Sequence, residues 1–258
     1  MDQEKSSGSL ATVETTISIL TALRELNGGR VTTLADHLDI PRSTVHRHLQ
    51  TLLQHGYVTK NGDQYQLGLM FLDIGEYTRH CVRGYRQAKP VVDQIATETG
   101  ERCQFVVEQR GRGVYICVSS GASSEDRTGL RVGKRMFLHS TASGKSILAH
   151  LPRPSVDQII DQWGLPPQTP HTVTTTEELF EVLELVRDRG YAFNRGGNVD
   201  GLRAVGVPIL DDYERVIGSI SVSGPSYRMQ GKRFERELPD LLLEAKDELQ
   251  SQLDSSPS

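Results

Sequence analysis

Apolar residues recur every three or four positions over the first quarter of the chain. Val13, Ile17, Leu20, Leu23 and Leu26 mark an amphipathic helix that Asn27-Gly28-Gly29 ends. Leu34, Ala35 and Leu38 mark a second, short helix, with Thr32 or Thr33 placed to cap its start by accepting a backbone N–H. Asp39-Ile40-Pro41 ends it, because the residue before a proline is pushed out of the α region. A third helix begins on Pro41 or with Ser43 as its cap; Val45, Leu49, Leu52 and Leu53 line its apolar side and Gly56 stops it. Tyr57-Val58-Thr59 and Gln64 to Leu67 then alternate as strands around Lys60-Asn61-Gly62-Asp63, where Asn-Gly is a hairpin signal. Two helices joined by a tight turn and followed by a hairpin outline a winged helix-turn-helix, which makes double-stranded DNA the first partner to test.

Beyond the hairpin, Leu69, Met70, Leu72 and Ile74 open a helical stretch that runs past Arg79, Arg83 and Arg86, and Pro90 restarts it through Val91, Val92, Ile95 and Ala96 to Gly100. After Gly100 the period changes. Cys103 to Glu108 and Val114 to Val118 read as strands around a Gln109 to Gly113 turn, and Leu130 to Phe137 holds another strand or two. Helices follow at Ala142 to Ala149, at Val156 to Trp163 and, well capped, at Thr176 to Arg189. Strands at Tyr191-Ala192-Phe193, Ala204 to Leu210 and Val216 to Ser223 come next, and Phe234, Leu238, Leu241, Leu242, Ala245 and Leu249 form a closing amphipathic helix. Strands clustered around helices in this order predict an α+β fold on an antiparallel sheet. The polar ends, Met1 to Gly8 and Ser255 to Ser258, read as unstructured. The organisation predicted is a DNA-binding domain over 10–72, a linker helix over 73–87 and a second domain over 88–252.

Length and charge narrow the reading. At 258 residues the chain is long enough for two domains. Its formal net charge is −4, so any attraction to phosphate must come from a confined patch. Such a patch exists: from Ile40 to Lys60 there are Arg42, Arg47 and Lys60, no Asp or Glu, and the histidines His46, His48 and His55. The polar side of the third helix carries Arg42, Thr44, His46, Arg47 and Gln50, and Arg and Gln are the side chains that read guanine and adenine bidentately. Thr32, Arg42, Ser43, Thr44, His46, Arg47, Gln50 and Lys60 are therefore the candidate DNA-binding residues. Three cysteines without close pairs disfavour a disulfide framework and a zinc site, and a reduced cytosol suits them. No apolar run is long enough for a membrane span, so no membrane partner is expected.

Other chemistries are weaker. Gly144-Lys145-Ser146 has the look of a phosphate loop, but the loop's first glycine would stand where His139 is. Ser143-Gly144-Lys145 lacks the Ser-x-x-Lys spacing of a penicillin-type nucleophile. His46 and His48 at i and i+2 point to different sides of a helix, so no metal set forms there. The alternative to a regulator is a metabolic enzyme or ligand-binding protein whose helix-turn-helix serves only oligomerisation; the lack of a nucleophile–base pair, metal cluster or cofactor loop counts against catalysis, and no cofactor is expected.

Four stretches carry a resemblance. They are Pro41 to Leu49; Leu138-His139-Ser140-Thr141-Ala142-Ser143-Gly144-Lys145-Ser146-Ile147-Leu148-Ala149; Arg187-Asp188-Arg189-Gly190-Tyr191-Ala192; and Gly206-Val207-Pro208-Ile209 leading to Ile220-Ser221-Val222-Ser223-Gly224-Pro225. In their order and spacing the chain resembles the IclR-type transcription regulators from about Leu10 to Leu249. The resemblance implies a winged helix-turn-helix, a linker helix and a GAF-like C-terminal domain that binds a small effector, usually an organic acid or aromatic metabolite, with assembly into a homodimer or homotetramer. By position it implies an effector pocket of Met136, Thr141, Ala142, Ser143, Gly144, Asn194, Leu202, Ala204, Ser221 and Ser223. Independently, free backbone N–H groups at a helix start near Thr141 suit a carboxylate, and Ser221 and Ser223 share one strand face. The chain departs from the family twice, at Arg195-Gly196-Gly197-Asn198, where an acidic run is frequent, and at Ala204, where cysteine often stands. Both touch the implied pocket.

Overall fold

The computed structural model describes residues 9–124 and 129–254, so the terminal segments read above as unstructured lie outside the described residues. The chain divides at Arg79/His80 into two compact units.

Unit 1 holds α1 (Ala11–Glu25), α2 (Val31–Leu38) and α3 (Arg42–Gln54), a hairpin of β1 (Val58–Asn61) and β2 (Gln64–Leu67), and most of α4 (Met70–His80). One apolar core joins the first three helices and the hairpin: Ile19, Ala22 and Leu23 of α1, Leu34 and Ala35 of α2, Val45, Leu49 and Leu52 of α3, and Val58 and Tyr65 of the hairpin. Neither Thr32 nor Thr33 caps α2. The helix starts at Val31 with Arg30 in the cap position and no side-chain cap bond, because Gly29 pairs with Tyr65 through N–H···O bonds of 3.0 and 2.9 Å and fixes where the extended chain ends. Ser43 likewise lies inside the first turn of α3, with extended Pro41 before it. Asp39 takes the left-handed conformation that closes α2 (φ 52°), a region Asp tolerates better than most side chains. In the hairpin, Asn61 pairs with Gln64, so Gly62-Asp63 is the two-residue turn and Asn61 belongs to the strand. Gly62 at φ 57° supplies the first position that a type II′ turn requires.

Unit 2 contains α5 (Tyr85–Thr99), β3 (Arg102–Gln109), β4 (Arg112–Ser120), β5 (Arg135–Phe137), α6 (Ala142–Ala149), α7 (Arg153–Trp163), α8 (Thr176–Arg189), β6 (Ala192–Arg195), β7 (Leu202–Leu210), β8 (Val216–Pro225) and α9 (Leu238–Asp254). The helical stretch breaks at residues 81–84, where Gly84 adopts φ 79°, and not at Pro90. Pro90 sits inside α5 and forgoes one helical hydrogen bond, and Ala88, Val91, Val92, Ile95 and Ala96 around it are buried against the sheet. Leu130 to Phe137 yields the single short strand β5. Phe234 falls in a π turn over Arg233–Glu237 that leads into α9.

The six strands form one sheet in the order β5-β4-β3-β8-β7-β6, antiparallel throughout. Hairpins and adjacent pairings account for every neighbour except β3 beside β8, which joins the two halves of the unit. Period-2 alternation then sorts the side chains. Cys103, Phe105, Val205, Val207, Ile209, Ile220 and Val222 face one core, closed by α5 and α9. Arg102, Gln104, Val106, Ser219 and Ser221 face the other way, toward α6 and α8 and the core of Val106, Ile147, Leu148, Leu179 and Leu183. α6 crosses β7 closely: a side chain on Gly206 would begin 3.0 Å from the Ala142 carbonyl carbon and the Ser143 nitrogen. Ser146 Oγ anchors the crossing by donating to Gly206 O at 2.8 Å.

Candidate functional site

With Val45, Leu49 and Leu52 buried, α3 turns Arg42, Ser43, His46, Arg47 and Gln50 to solvent, and leaves Thr44 half-buried. Thr32 is exposed in the first turn of α2 and Lys60 on the hairpin. The Arg47 guanidinium has no protein partner among the described residues. Arg42 stands 3.8 Å from Asp36, both side chains well exposed, a pairing weak enough for a phosphate to displace. Gln50 is the most constrained: its Nε2 donates to Tyr65 Oη at 3.2 Å and lies 3.4 Å from a His46 ring nitrogen, which ties the helix to the hairpin. Lys60 Nζ rests 5.3 Å from the Tyr65 ring centre.

Sequence reasoning missed a second edge of this surface. Thr12, Thr15 and Thr16 of α1 face Thr44, Arg47, His48 and Thr51 of α3 across a groove, and His48 Nδ1 meets Thr16 Oγ at 2.8 Å. The signal was present as i, i+4 spacing from Thr44 to His48 and from Arg47 to Thr51.

In unit 2 a cavity of about 280 Å³ opens between the start of α6 and the polar face of the sheet. Met136, Thr141, Ala142, Ser143, Asn194, Leu202, Ala204, Ser221 and Ser223 all line it. Gly144 does not. Its N–H donates to the capping Thr141 Oγ at 3.0 Å, and its missing side chain lets the helix lie on the turn at Leu138–Ser140. The amides of Ala142 and Ser143, first and second in α6, are the ones a helix start leaves without an intrahelical acceptor.

The centre of the cavity is a hydrogen-bonded chain. Gln104 Nε2 donates to Ser221 Oγ at 2.6 Å, and Ser221 Oγ meets Ser143 Oγ at 2.6 Å. Gln104 also lies 3.4 Å from Ser223 Oγ. Asn194 Oδ1 accepts the Gly197 N–H at 3.1 Å, and Ser140 Oγ donates to Asn198 at 3.3 Å, so the Arg195 to Asn198 departure forms a wall of amide groups. Asn198, part of the departure read from the sequence as touching the pocket, lines it, and Gln104, Gln168 and Tyr115 are lining residues that the sequence did not single out. A polar Gln between Cys103 and Phe105 was the available clue, since alternation places it on the face opposite them.

Arg102, Arg112, Lys134, Arg135 and Arg203 also line the cavity, and no Asp or Glu does among the described residues. Burial pushes the Tyr115 phenol up to about 12 against the opposing pull of Arg102, so it stays a neutral donor. Burial, with Arg135 close by, lowers the Arg112 guanidinium. Behind α6, burial also lowers His139, whose Nε2 lies 3.2 Å from Pro166 O. Among the described residues, no group of three or more His, Cys, Asp or Glu side chains is placed to hold a metal ion. No helix among them is long and apolar enough to cross a membrane.

Comparison with known proteins agrees with this layout. The family model of the bacterial transcriptional regulator IclR C-terminal domain matches residues 82–250, and that of the IclR helix-turn-helix domain matches residues 12–62. The probable HTH-type transcriptional regulator ArcR of Halobacterium salinarum is 33% identical over 251 residues, 96% of this chain and 95% of that protein. The HTH-type transcriptional regulator KdgR of Escherichia coli is 32% identical over 91% of this chain and 89% of its own. Among solved structures, the Thermotoga maritima IclR superposes with a TM-score of 0.81 at 28% identity, over 94% of this chain and 98% of its own. An IclR homolog from Microbacterium hydrocarbonoxydans, complexed with 4-hydroxybenzoate, shares the fold with a TM-score of 0.79 at 20% identity, over 93% of this chain and all of its own. These relatives are regulators, which sets aside the metabolic-enzyme alternative.

Proposed function

Because this chain belongs to the IclR family of DNA-binding transcription regulators, we propose that α3 and the hairpin wing bind an operator and that a small organic acid in the unit 2 cavity controls that binding. The observation that carries the reading is the cavity's lining, which sets cations, hydroxyls and amides around α6 with no carboxylate among the described residues. Such a site favours an anion that also offers hydroxyl or carbonyl groups. Thr141, Ala142, Ser143, Asn194, Ser221 and Ser223 supply the polar contacts, and Met136, Leu202 and Ala204 the apolar ones. Gly144 acts by close packing alone.

On the DNA side, Arg47, Ser43 and Gln50 face base edges while Thr32, Arg42, Thr44, His46 and Lys60 serve the backbone or flanking bases. Two copies of α3 read a near-palindrome only in a dimer. Exposed apolar side chains support one: Leu10 just before α1, Val13 and Ile17 in it, and Leu69, Leu72 and Tyr77 around α4 all reach solvent, Leu69 by 81%. The segment 73–87 links the two units and passes the ligand's effect to the spacing of the reading helices, and two such dimers make the tetramer.

Fluorescence anisotropy on DNA upstream of the protein's own gene, with and without a panel of sugar, keto and aromatic acids, tests the reading. At least one acid is expected to raise the melting point and to change operator affinity, with Ser221→Ala blunting both responses. Acids that bind the cavity yet leave operator affinity unchanged would overturn it, whereas specific DNA binding indifferent to Arg47→Ala would remove Arg47 from the interface.

A further inference from the structure

The family's pocket accounts for one end of the cavity, around α6 and Ser221. Beyond the residues of that pocket, the fold fixes the guanidinium of Arg112 in the cavity lining. Arg112 opens β4 just after the tight turn Arg110-Gly111, whose residues both take positive φ, 55° and 76°. The bare Gly111 admits the Trp163 indole: a side chain there would begin 2.5 Å from Trp163 Nε1, which instead donates to Arg110 O at 2.9 Å. Arg112 is then stacked on two rings, its guanidinium carbon 3.7 Å from the Phe137 centre and 5.0 Å from that of Trp163. Its Nε donates to Met136 O at 3.0 Å, which leaves the terminal fork of two nitrogens.

Among the described residues that fork has no hydrogen-bond acceptor and no carboxylate within ion-pair range. A second cation, Arg135, neighbours it and donates to Gln109 O at 2.8 Å. Two other arginines of unit 2 are met by carboxylates of the fold, Arg228 by Glu101 and Arg83 by Asp211. A half-desolvated guanidinium, held rigid by stacking and set beside a like charge, is a pre-oriented fork for an anion from outside the chain. Its stacking also removes most of the rotamer entropy that an arginine ordinarily loses on binding.

We propose that Arg112 is the seat for a second anionic group on the effector, so that the ligand is an acid charged at both ends, one end at the start of α6 and the other on the Arg112 fork. This rests on the effector reading above. The second group is either a carboxylate or a phosphate, since both match the fork.

The test is isothermal titration of the full chain with α,ω-dicarboxylates of increasing length, the matching monocarboxylates, and a sugar acid with its terminal phosphate ester. A doubly charged acid of fitting length is expected to bind roughly tenfold to a hundredfold tighter than its singly charged partner, the worth of one charge-assisted hydrogen-bonded fork. Preference for the phosphate ester over the diacid identifies phosphate as the second group; the reverse identifies carboxylate. Arg112→Met keeps the stem and should bring single and double acids to similar affinity, whereas Ser221→Ala should weaken both together. Arg112→Lys keeps the charge without the fork and should lose part of the preference; with the salt dependence of the parent's preference, it serves where Arg112→Met does not fold. Equal binding of the two acid classes by the parent, or a preference that survives Arg112→Met, overturns the Arg112 assignment while the effector reading stands. Absence of binding by any acid overturns both.

Discussion

Replacing Gly144 by alanine would drive a methyl group into the backbone beneath α6. The new Cβ would begin 2.1 Å from the Leu138 carbonyl oxygen and 2.5 Å from Leu138 Cα, where real side chains stay beyond 3.0 Å. Because both obstacles are main chain in the short turn at Leu138–Ser140, no rotamer change relieves the clash, and α6 must retreat by roughly 1 Å. Overpacking of this kind costs about 1–3 kcal/mol, and a backbone obstacle places it near the top of that range. The alanine recovers about 0.5–1 kcal/mol through its lower unfolded-state entropy, so a net loss of about 2 kcal/mol is expected. At about 2–4 °C per kcal/mol for a unit of this size, the melting point should fall by roughly 4–8 °C. The assay is calorimetry of the full chain, with Gly75→Ala as the control: Gly75 sits in α4 with open space around its missing Cβ, and the substitution should leave stability unchanged or slightly raised. Since α6 carries Ser143, its retreat also stretches the 2.6 Å contact to Ser221, and acid binding should weaken. A Gly144→Ala protein that melts with the parent and binds acids equally well would refute the close-packing argument.

Three further outcomes are expected. Arg47→Ala should cost about 1–3 kcal/mol of operator affinity and relax the sequence preference at the base pair that Arg47 faces, with the slope of log affinity against log salt nearly unchanged, read from binding titrations on operator variants at several salt concentrations. Burial lowers the Lys145 amine to about 8; between that value and the ordinary lysine range the unfolded chain keeps a proton that the folded chain has lost. Stability of the parent therefore rises with pH over that window, by an amount on the order of 3 kcal/mol at most, and urea titrations of Lys145→Met should show the rise flattened. Partial desolvation works to raise the Asp211 carboxyl, but hydrogen bonds from Arg215, Arg83 and the Tyr213 amide outweigh it and hold the group well below the usual carboxylate range. Its contribution is thus present above the ordinary carboxylate value and lost as pH falls through the lowered one, so Asp211→Asn should weaken the chain at neutral pH and flatten its acid branch in pH-dependent melts.

Local chemistry made the first unit readable. Val45, Leu49 and Leu52 recur at the helical period, so the opposite face of α3 had to carry Arg42, Arg47 and Gln50 whatever the rest of the chain did. Caps were less legible. Thr32 and Thr33 are good cap residues, yet the Gly29 bridge to Tyr65, a contact across 36 positions of sequence, decided where α2 begins. Pro90 looked like a break because proline is costly inside a helix; burial of Ala88, Val91 and Val92 on the sheet outweighs that cost.

In the second unit the sequence determined strands, helices and the two-sidedness of each. Ser221 and Ser223 had to share a face, and so did Arg102 and Gln104, because side chains alternate along any strand. Which faces meet was beyond its reach. Pairing β3 with β8 sets Gln104 against Ser221, 117 residues away, and laying α6 over Gly206 brings Ser143 to the same point. The Arg112 fork likewise exists only because α7 delivers Trp163 to the bare Gly111. Periodicity is a property of neighbours in the chain, whereas these meetings depend on which distant apolar surfaces bury best together, and that is settled by packing over the whole unit.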